Sequence, residues 1–117
     1  MLNAIPSLPR ISDAASASLE SSGLLKEATA HEMVTSSLTL WEDGKGAEAG
    51  IWQCTAGPSR WSLETQEFVH IVTGHMTVTR DGEEPVAIGP GDTVVFERGW
   101  QGTWDITETL RKIYVIF

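Results

Sequence analysis

Glu67, His70 and His75 fall within one short run, "QEFVHIVTGHMTV", at residues 66–78. Carboxylate and imidazole groups ligate divalent transition metals and also serve as general acids and bases. Lys112 and Tyr114 stand in "RKIYVIF" near the end of the chain and can act as proton donors or acceptors beside a carboxylate. Arg60 in "GPSRW" carries a fork of donors that suits a small anion, although a solvated turn arginine is the plainer reading. Trp52, Trp61 and Trp104 offer flat apolar walls, each with one N–H to satisfy. Cys54 is the only cysteine, which excludes an internal disulfide and a cysteine-based zinc cluster. It reads as a small buried apolar residue rather than a nucleophile.

Parity decides which of these groups can meet. Side chains alternate along a strand, so Glu67 shares a face with Val69, Ile71 and Thr73, while His70 goes to the other face with Phe68 and Val72. Without a bulge, His70 cannot join Glu67 on one metal. His75 follows Gly74, and His31 lies near the N-terminal segment. One carboxylate does not make a metal site, so neither a metal nor another cofactor is expected. Trp52 and Cys54 share a face of "IWQCT". In the last strand Lys112, Tyr114 and Ile116 form one face, and Arg111, Ile113, Val115 and Phe117 the other. Apolar pattern alone turns Ile113, Val115 and Phe117 inward.

These residues need elements to hold them. The chain has 117 residues, 41% of them apolar, enough for one domain with a modest core. Its 11 glycines and 5 prolines punctuate it at intervals that suit short strands better than helices. Turn signals stand at "EDGKG", "GPSR", "RDGEEP" and "GPGD", with Asp-Gly the strongest of them. "VTGHMTV" reads as a hairpin junction and "TWDITETLRKIYVIF" as two strands around a polar corner. Asp92 in "PGD" is expected to brace its turn. Residues 1–30, rich in Ser and Ala, read as an N-terminal arm, extended at "PSLPRI" and extended or partly helical beyond it. Residues 31–117 read as an antiparallel all-β sandwich or small barrel.

A net charge of -8 is first a solubility device, and it argues against nucleic acid as a partner. The chain has no apolar run approaching the ~18 residues of a membrane span and no basic-then-apolar leader, so a cytoplasmic protein with no membrane partner is expected.

The stretches "GPSRWSLETQEFVHIVTGHMTV" and "IGPGDTVVFERGWQGTW" resemble the two motifs of the cupins, over roughly residues 35–117. Gly57, Glu67 and Gly74 match the first motif's glycine, glutamate and closing glycine, while Pro90, Gly91, Asp92 and Gly99 match the second motif. The resemblance implies a double-stranded β-helix, a jelly-roll-like barrel. The "GWQGTWDITETLRKIYV" ending is similar to the cupin subfamily that includes ureidoglycine aminohydrolase.

Departures from the family matter more than matches. The first motif's histidine positions fall on Trp61 and Leu63, or on Arg60 and Ser62, and that of the second falls at or near Gly102. Glu97 replaces the second motif's proline. Set on that motif's parity, Trp104 and Ile106 point inward, so that Trp61 and Trp104 would flank Glu67 in an apolar cup. The resemblance also marks Lys112 and Tyr114 as signature residues, and so favours the opposite inward face from the apolar pattern.

Three readings follow. The first is a small-molecule-binding cupin with a metal-free pocket built from Trp61, Glu67 and Trp104, with Lys112, Tyr114, Arg60 and Trp52 as further candidates. The second is an enzyme on a small nitrogen-containing or ureido-type metabolite, with Glu67 as general acid or base and Lys112 or Tyr114 as its catalytic partner. The third is a non-catalytic structural cupin. A homodimer is implied by the resemblance, with the arm or "MVTSSLTLW" able to lie on a partner's sheet edge.

Overall fold

The computed structural model describes residues 8–117. The first seven residues of the arm, with Pro6 of "PSLPRI", lie outside the described residues. Eight strands follow in order: β1 Glu20–Leu24, β2 Val34–Glu42, β3 Glu48–Cys54, β4 Gly57–Ser62, β5 Glu67–Arg80, β6 Val86–Ile88, β7 Thr93–Phe96 and β8 Gln101–Ile116. All pairings are antiparallel. The path runs β1-β2-β3-β8-β5-β6, with β4 also on β8 and β7 also on β5. This is an all-β barrel, as the resemblance to the cupin motifs implied. No helix among the described residues is long and apolar enough to cross a membrane.

The two long strands form the spine. The first half of β8 pairs with β4, its second half pairs with β3, and both halves pair with β5. One strand thereby serves both halves of the barrel. Inner positions of β8 are Gly102, Trp104, Ile106, Leu110, Lys112 and Tyr114, all buried, so a single parity survives the polar corner at residues 107–109. The expected pair of strands is therefore one continuous strand.

The same correction applies at Gly74, which does not open a hairpin. It lies inside β5, at φ 89°, where the register with β8 shifts. A Cβ there would lie 2.0 Å from the Thr109 carbonyl oxygen. Gly74 is thus the residue that lets two backbones approach at an irregularity. Buried positions are Glu67, Val69 and Ile71 before it and Met76 and Val78 after it. Thr73, expected on the inner face, is exposed because the irregularity begins there.

Turn chemistry matches the local sequence. Asp43 accepts from the Lys45 and Ala47 amides at 2.7 and 3.0 Å. Asp92 accepts from the Gly89 amide at 2.8 Å, bracing the "GPGD" turn as expected. Gly82 takes φ 81° in the Asp-Gly turn after β5.

The N-terminal segment lies on its own barrel. Residues 14–16 make a turn, and β1 pairs with β2. Residues 27–29 then follow β4, with Arg60 N donating to Glu27 O at 3.0 Å and Thr29 N to Pro58 O at 3.1 Å. On the outside of the sheet Arg111 Nη1 donates to the carbonyls of Ala14, Ala15 and Ala17 at 2.9–3.0 Å.

Candidate functional site

One continuous core holds aliphatic Val69, Ile71, Met76, Ile106 and Leu110 together with aromatic Phe96 and Trp104. Toward one mouth it becomes aromatic and charged. Trp61 and Trp104 stack with ring centroids 4.3 Å apart, and Phe96 packs against Trp104 at 5.0 Å. Ser59 ties the indoles together: it accepts from Trp61 Nε1 at 2.8 Å and donates to the Trp104 carbonyl at 3.0 Å. Trp104 Nε1 is buried and has no hydrogen-bond partner among the described residues.

Lys112 and Glu67 meet in this aromatic part. Lys112 Nζ donates to Glu67 Oε2 at 2.6 Å, and the two side chains are only 4% and 10% exposed. The ammonium also lies 4.6 Å from the ring centroids of both Trp52 and Trp104. Register explains the meeting. Lys112 pairs with Trp52 on β3 and with Ile71 on β5, while Glu67 pairs with Ile116. The two residues therefore sit diagonally on the inner face, and the long lysine stem spans the gap. A buried cation is tolerated here because a carboxylate and two indole faces replace its water.

Tyr114 shares the face. Its hydroxyl donates to Glu48 Oε2 at 2.7 Å. Burial and the Glu48 carboxylate push that hydroxyl well above the usual phenol range. Gly50, opposite Tyr114 in register, is needed by its surroundings, since a Cβ there would stand 2.4 Å from the Leu38 carbonyl oxygen and 3.1 Å from the Tyr114 hydroxyl oxygen.

Trp52, Trp61, Glu67, Trp104, Lys112, Tyr114 and Ile116 line an open cavity of about 170 Å³. Of the seven residues named as candidate site residues, six line this one space. The seventh, Arg60, does not. It neighbours Trp61 on β4, so its side chain takes the opposite face. There it grips Asp81 with both terminal nitrogens, at 2.6 and 2.5 Å, and the hydrogen bond holds the Asp81 carboxyl below its ordinary range. Lys112 and Tyr114, left undecided by pattern, face inward, and Ile113 and Val115 are half-buried outside.

Sequence reasoning missed Glu48 and Ser59. Glu48 shares parity with Gly50, Trp52 and Cys54, which was a usable signal. Ser59 shares parity with Trp61. Cys54 is fully buried, and burial pushes its thiol up to about 11.

Cupins commonly hold a metal, and the donor set here does not fit one. Glu67 is engaged by an ammonium, which competes for the same lone pairs as a cation would. Among the described residues no group of three or more His, Cys, Asp or Glu side chains converges. Gly102 leaves no room for a histidine: a Cβ would lie 2.2 Å from the Thr79 carbonyl oxygen. His70 bonds Thr93 Oγ1 at 3.1 Å, His75 pairs with Glu108 at 3.2 Å, and His31 bonds the Ala56 carbonyl at 3.0 Å.

Solved structures share this architecture. A DUF861 family protein of unknown function from Pseudomonas syringae pv. tomato str. DC3000 superposes with a TM-score of 0.80 at 20% identity, over 88% of this chain and 46% of its own. The chain thus spans less than half the length of that protein. The EutQ protein of Clostridium difficile gives a TM-score of 0.63 at 18% identity, over 73% of this chain and 68% of its own. A DUF861 family protein from Thermotoga maritima gives 0.56 at 31% identity, over 57% of this chain and 76% of its own. No curated protein matches the sequence. The model of the EutQ-like cupin domain matches residues 41–114, which takes in the strands carrying the tryptophans, Glu67 and Lys112, and the chain belongs to that family.

Proposed function

We propose that this cupin binds one small polar metabolite, without a metal, in the cavity around Glu67 and Lys112. The observation that carries the reading is the position of the ion pair. It lines a cavity of about 170 Å³ instead of lying in closed core. Apolar walls with a few converging polar groups are the usual composition of a ligand site. The volume corresponds to about five or six water molecules, so the ligand has only a few non-hydrogen atoms. Thermal-shift screening of the full chain with small polar compounds tests this. A hit should lose its effect in Trp61→Leu. A complete absence of hits across amides, alcohols, amines and carbonyl compounds would favour the structural-cupin reading.

The Glu67–Lys112 pair also supports an enzyme reading. Glu67 is placed beside a proton donor, Lys112, at 2.6 Å, and Tyr114 lines the same cavity. A nitrogen-containing or ureido-type substrate follows from the ureidoglycine aminohydrolase resemblance. If Glu67→Gln turned over such a substrate at the wild-type rate, the acid–base role would be wrong.

Homodimer formation belongs to the same proposal. An apolar row crosses the outer face through Val95, Phe68, Val115, Ala49 and Trp41, each paired in register with the next. Val95 and Trp41 are exposed. Such a row favours a second copy lying on it. Sedimentation as a monomer at micromolar concentration would remove the idea.

A further inference from the structure

We propose that Lys112 is a carbonyl-capturing lysine, which binds small uncharged aldehydes or ketones reversibly as a protonated imine. The inference deepens the metabolite-binding reading and rests on it.

Lysine forms imines when a buried amine has a proton acceptor beside it and space for an electrophile. All three conditions meet at one residue. The Lys112 side chain is buried, its Nζ is 2.6 Å from Glu67 Oε2, and the residue lines the cavity. Lys26 and Lys45, the other lysines of the chain, are exposed and have no such surroundings.

The reaction balances within these groups. The Lys112 ammonium passes a proton to Glu67, and the freed amine pair forms a C–N bond to the carbonyl carbon as the C=O π pair moves to oxygen. Glu67 protonates that oxygen and takes a second proton from nitrogen, leaving a neutral carbinolamine. Glu67 then protonates the hydroxyl, which departs as water while the nitrogen pair forms C=N. One ammonium and one carbonyl become one iminium and one water, with no oxidant or reductant.

The setting favours the product. The positive charge is at Nζ both at the start and in the product, so the carboxylate and the Trp52 and Trp104 faces that hold the ammonium also hold the iminium. Glu67 already balances the cation at Nζ, which leaves no positive charge for the carboxylate of a keto acid, so uncharged carbonyl compounds are the class. The cavity of about 170 Å³ limits them to a few carbons.

Propionaldehyde with cyanoborohydride is the test, since reduction fixes the imine as a secondary amine. Peptide mapping by mass then compares Lys112 with Lys26, Lys45 and the terminal amine of the same molecule. Lys112 should be alkylated about tenfold faster than either exposed lysine, and Glu67→Gln should reduce that advantage about tenfold or more. Lys112→Arg should abolish the fast adduct. Should that variant fail to fold, the comparison among lysines of the wild-type chain decides alone. Alkylation of Lys112 no faster than of Lys26 and Lys45 overturns the proposal. Propanol and propionamide, matched in size but unable to form an imine, separate the two ideas by thermal shift. If they bind while Lys112 is not alkylated, capture is wrong and the pocket stands. If they do not bind and Lys112 is not alkylated, both fall.

Discussion

Lys112 reaches diagonally across the inner face to donate to Glu67 at 2.6 Å, and its ammonium lies between the faces of Trp52 and Trp104. The carboxylate that stands at the family's glutamate position is thereby matched to an internal cation. Three indoles and a glycine take the space around it. This pairing explains how a charged lysine tolerates the inside of a barrel, and it makes the pair the energetic hinge of the site.

Breaking the pair from one side should be costly. Glu67→Gln leaves the ammonium without its counter-charge, and Lys112→Met leaves the carboxylate without one. Each should destabilise the fold by about 3–5 kcal/mol, because an uncompensated buried charge remains. The double variant removes both charges and should cost much less than the sum. Urea denaturation of the four proteins as a cycle measures the coupling. Additive losses would show that the two groups do not depend on each other.

Alkaline solution should weaken the fold. The Cys54 thiol is raised from 9.0 to about 11 by burial, which outweighs the opposite pull of Lys112. Between those values the folded state keeps a proton that the unfolded state gives up. Stability is therefore fully present below about pH 9 and falls as pH rises through the folded value. The Tyr114 hydroxyl is raised as well and acts in the same direction. The Cys54 part is on the order of 2 kcal/mol. Urea midpoints measured from about pH 8 to pH 11 should fall, and Cys54→Ala should flatten part of that slope. A flat profile in the wild type would count against both assignments.

Gly102 should not accept a side chain. Its Cβ position is 2.2 Å from the Thr79 carbonyl and 2.7 Å from Trp100 Cη2. Backbone cannot yield as a flexible side chain can, so Gly102→Ala should cost about 1–3 kcal/mol or more. Gly102→His should misfold instead of regaining a metal ligand. Melting temperature and metal analysis of both variants would check this. A stable, metal-loaded Gly102→His protein would refute it.

How far the sequence carries depends on whether a signal is local. Asp-Gly and Pro-Gly-Asp act within a few residues, so the turns and the barrel were legible. Parity is also local. It placed Glu67, Trp61 and Trp104 inward; applied to Arg60, the neighbour of Trp61, it points that side chain outward, against the place Arg60 was given in the expected pocket. Gly74 was misread because a bulge and a hairpin ask the same freedom of a glycine; only pairing with β8 separates them. The inward face of the last strand needed knowledge of what lies outside. Val115 looks like core until the outer row of Phe68, Ala49 and Trp41 is seen to match it, and Ile113 until its register partner Ile51 is seen on the same face. Glu48 and Ser59 act through cross-strand neighbours, which no single strand reveals.

The N-terminal segment should depend on one side chain. Arg111 Nη1 is shared by three carbonyls, from Ala14, Ala15 and Ala17, and its Nε donates to Gln53 Oε1 at 2.9 Å. Ile11, Ala14, Ala17 and Leu19 are only half-buried, so apolar packing alone holds residues 8–19 weakly. Charged hydrogen bonds contribute about 1.5–3 kcal/mol each at most, and a shared nitrogen contributes less per bond. Arg111→Met keeps the stem over the sheet and removes the donors. It should speed protease cleavage within residues 8–19 while lowering the melting temperature of the barrel by only a few degrees. Arg111→Lys should restore little, because one ammonium cannot bond Gln53 and three carbonyls in the same geometry. Cleavage at the wild-type rate in Arg111→Met would mean that β1 and its pairing with β2 hold the segment without the arginine.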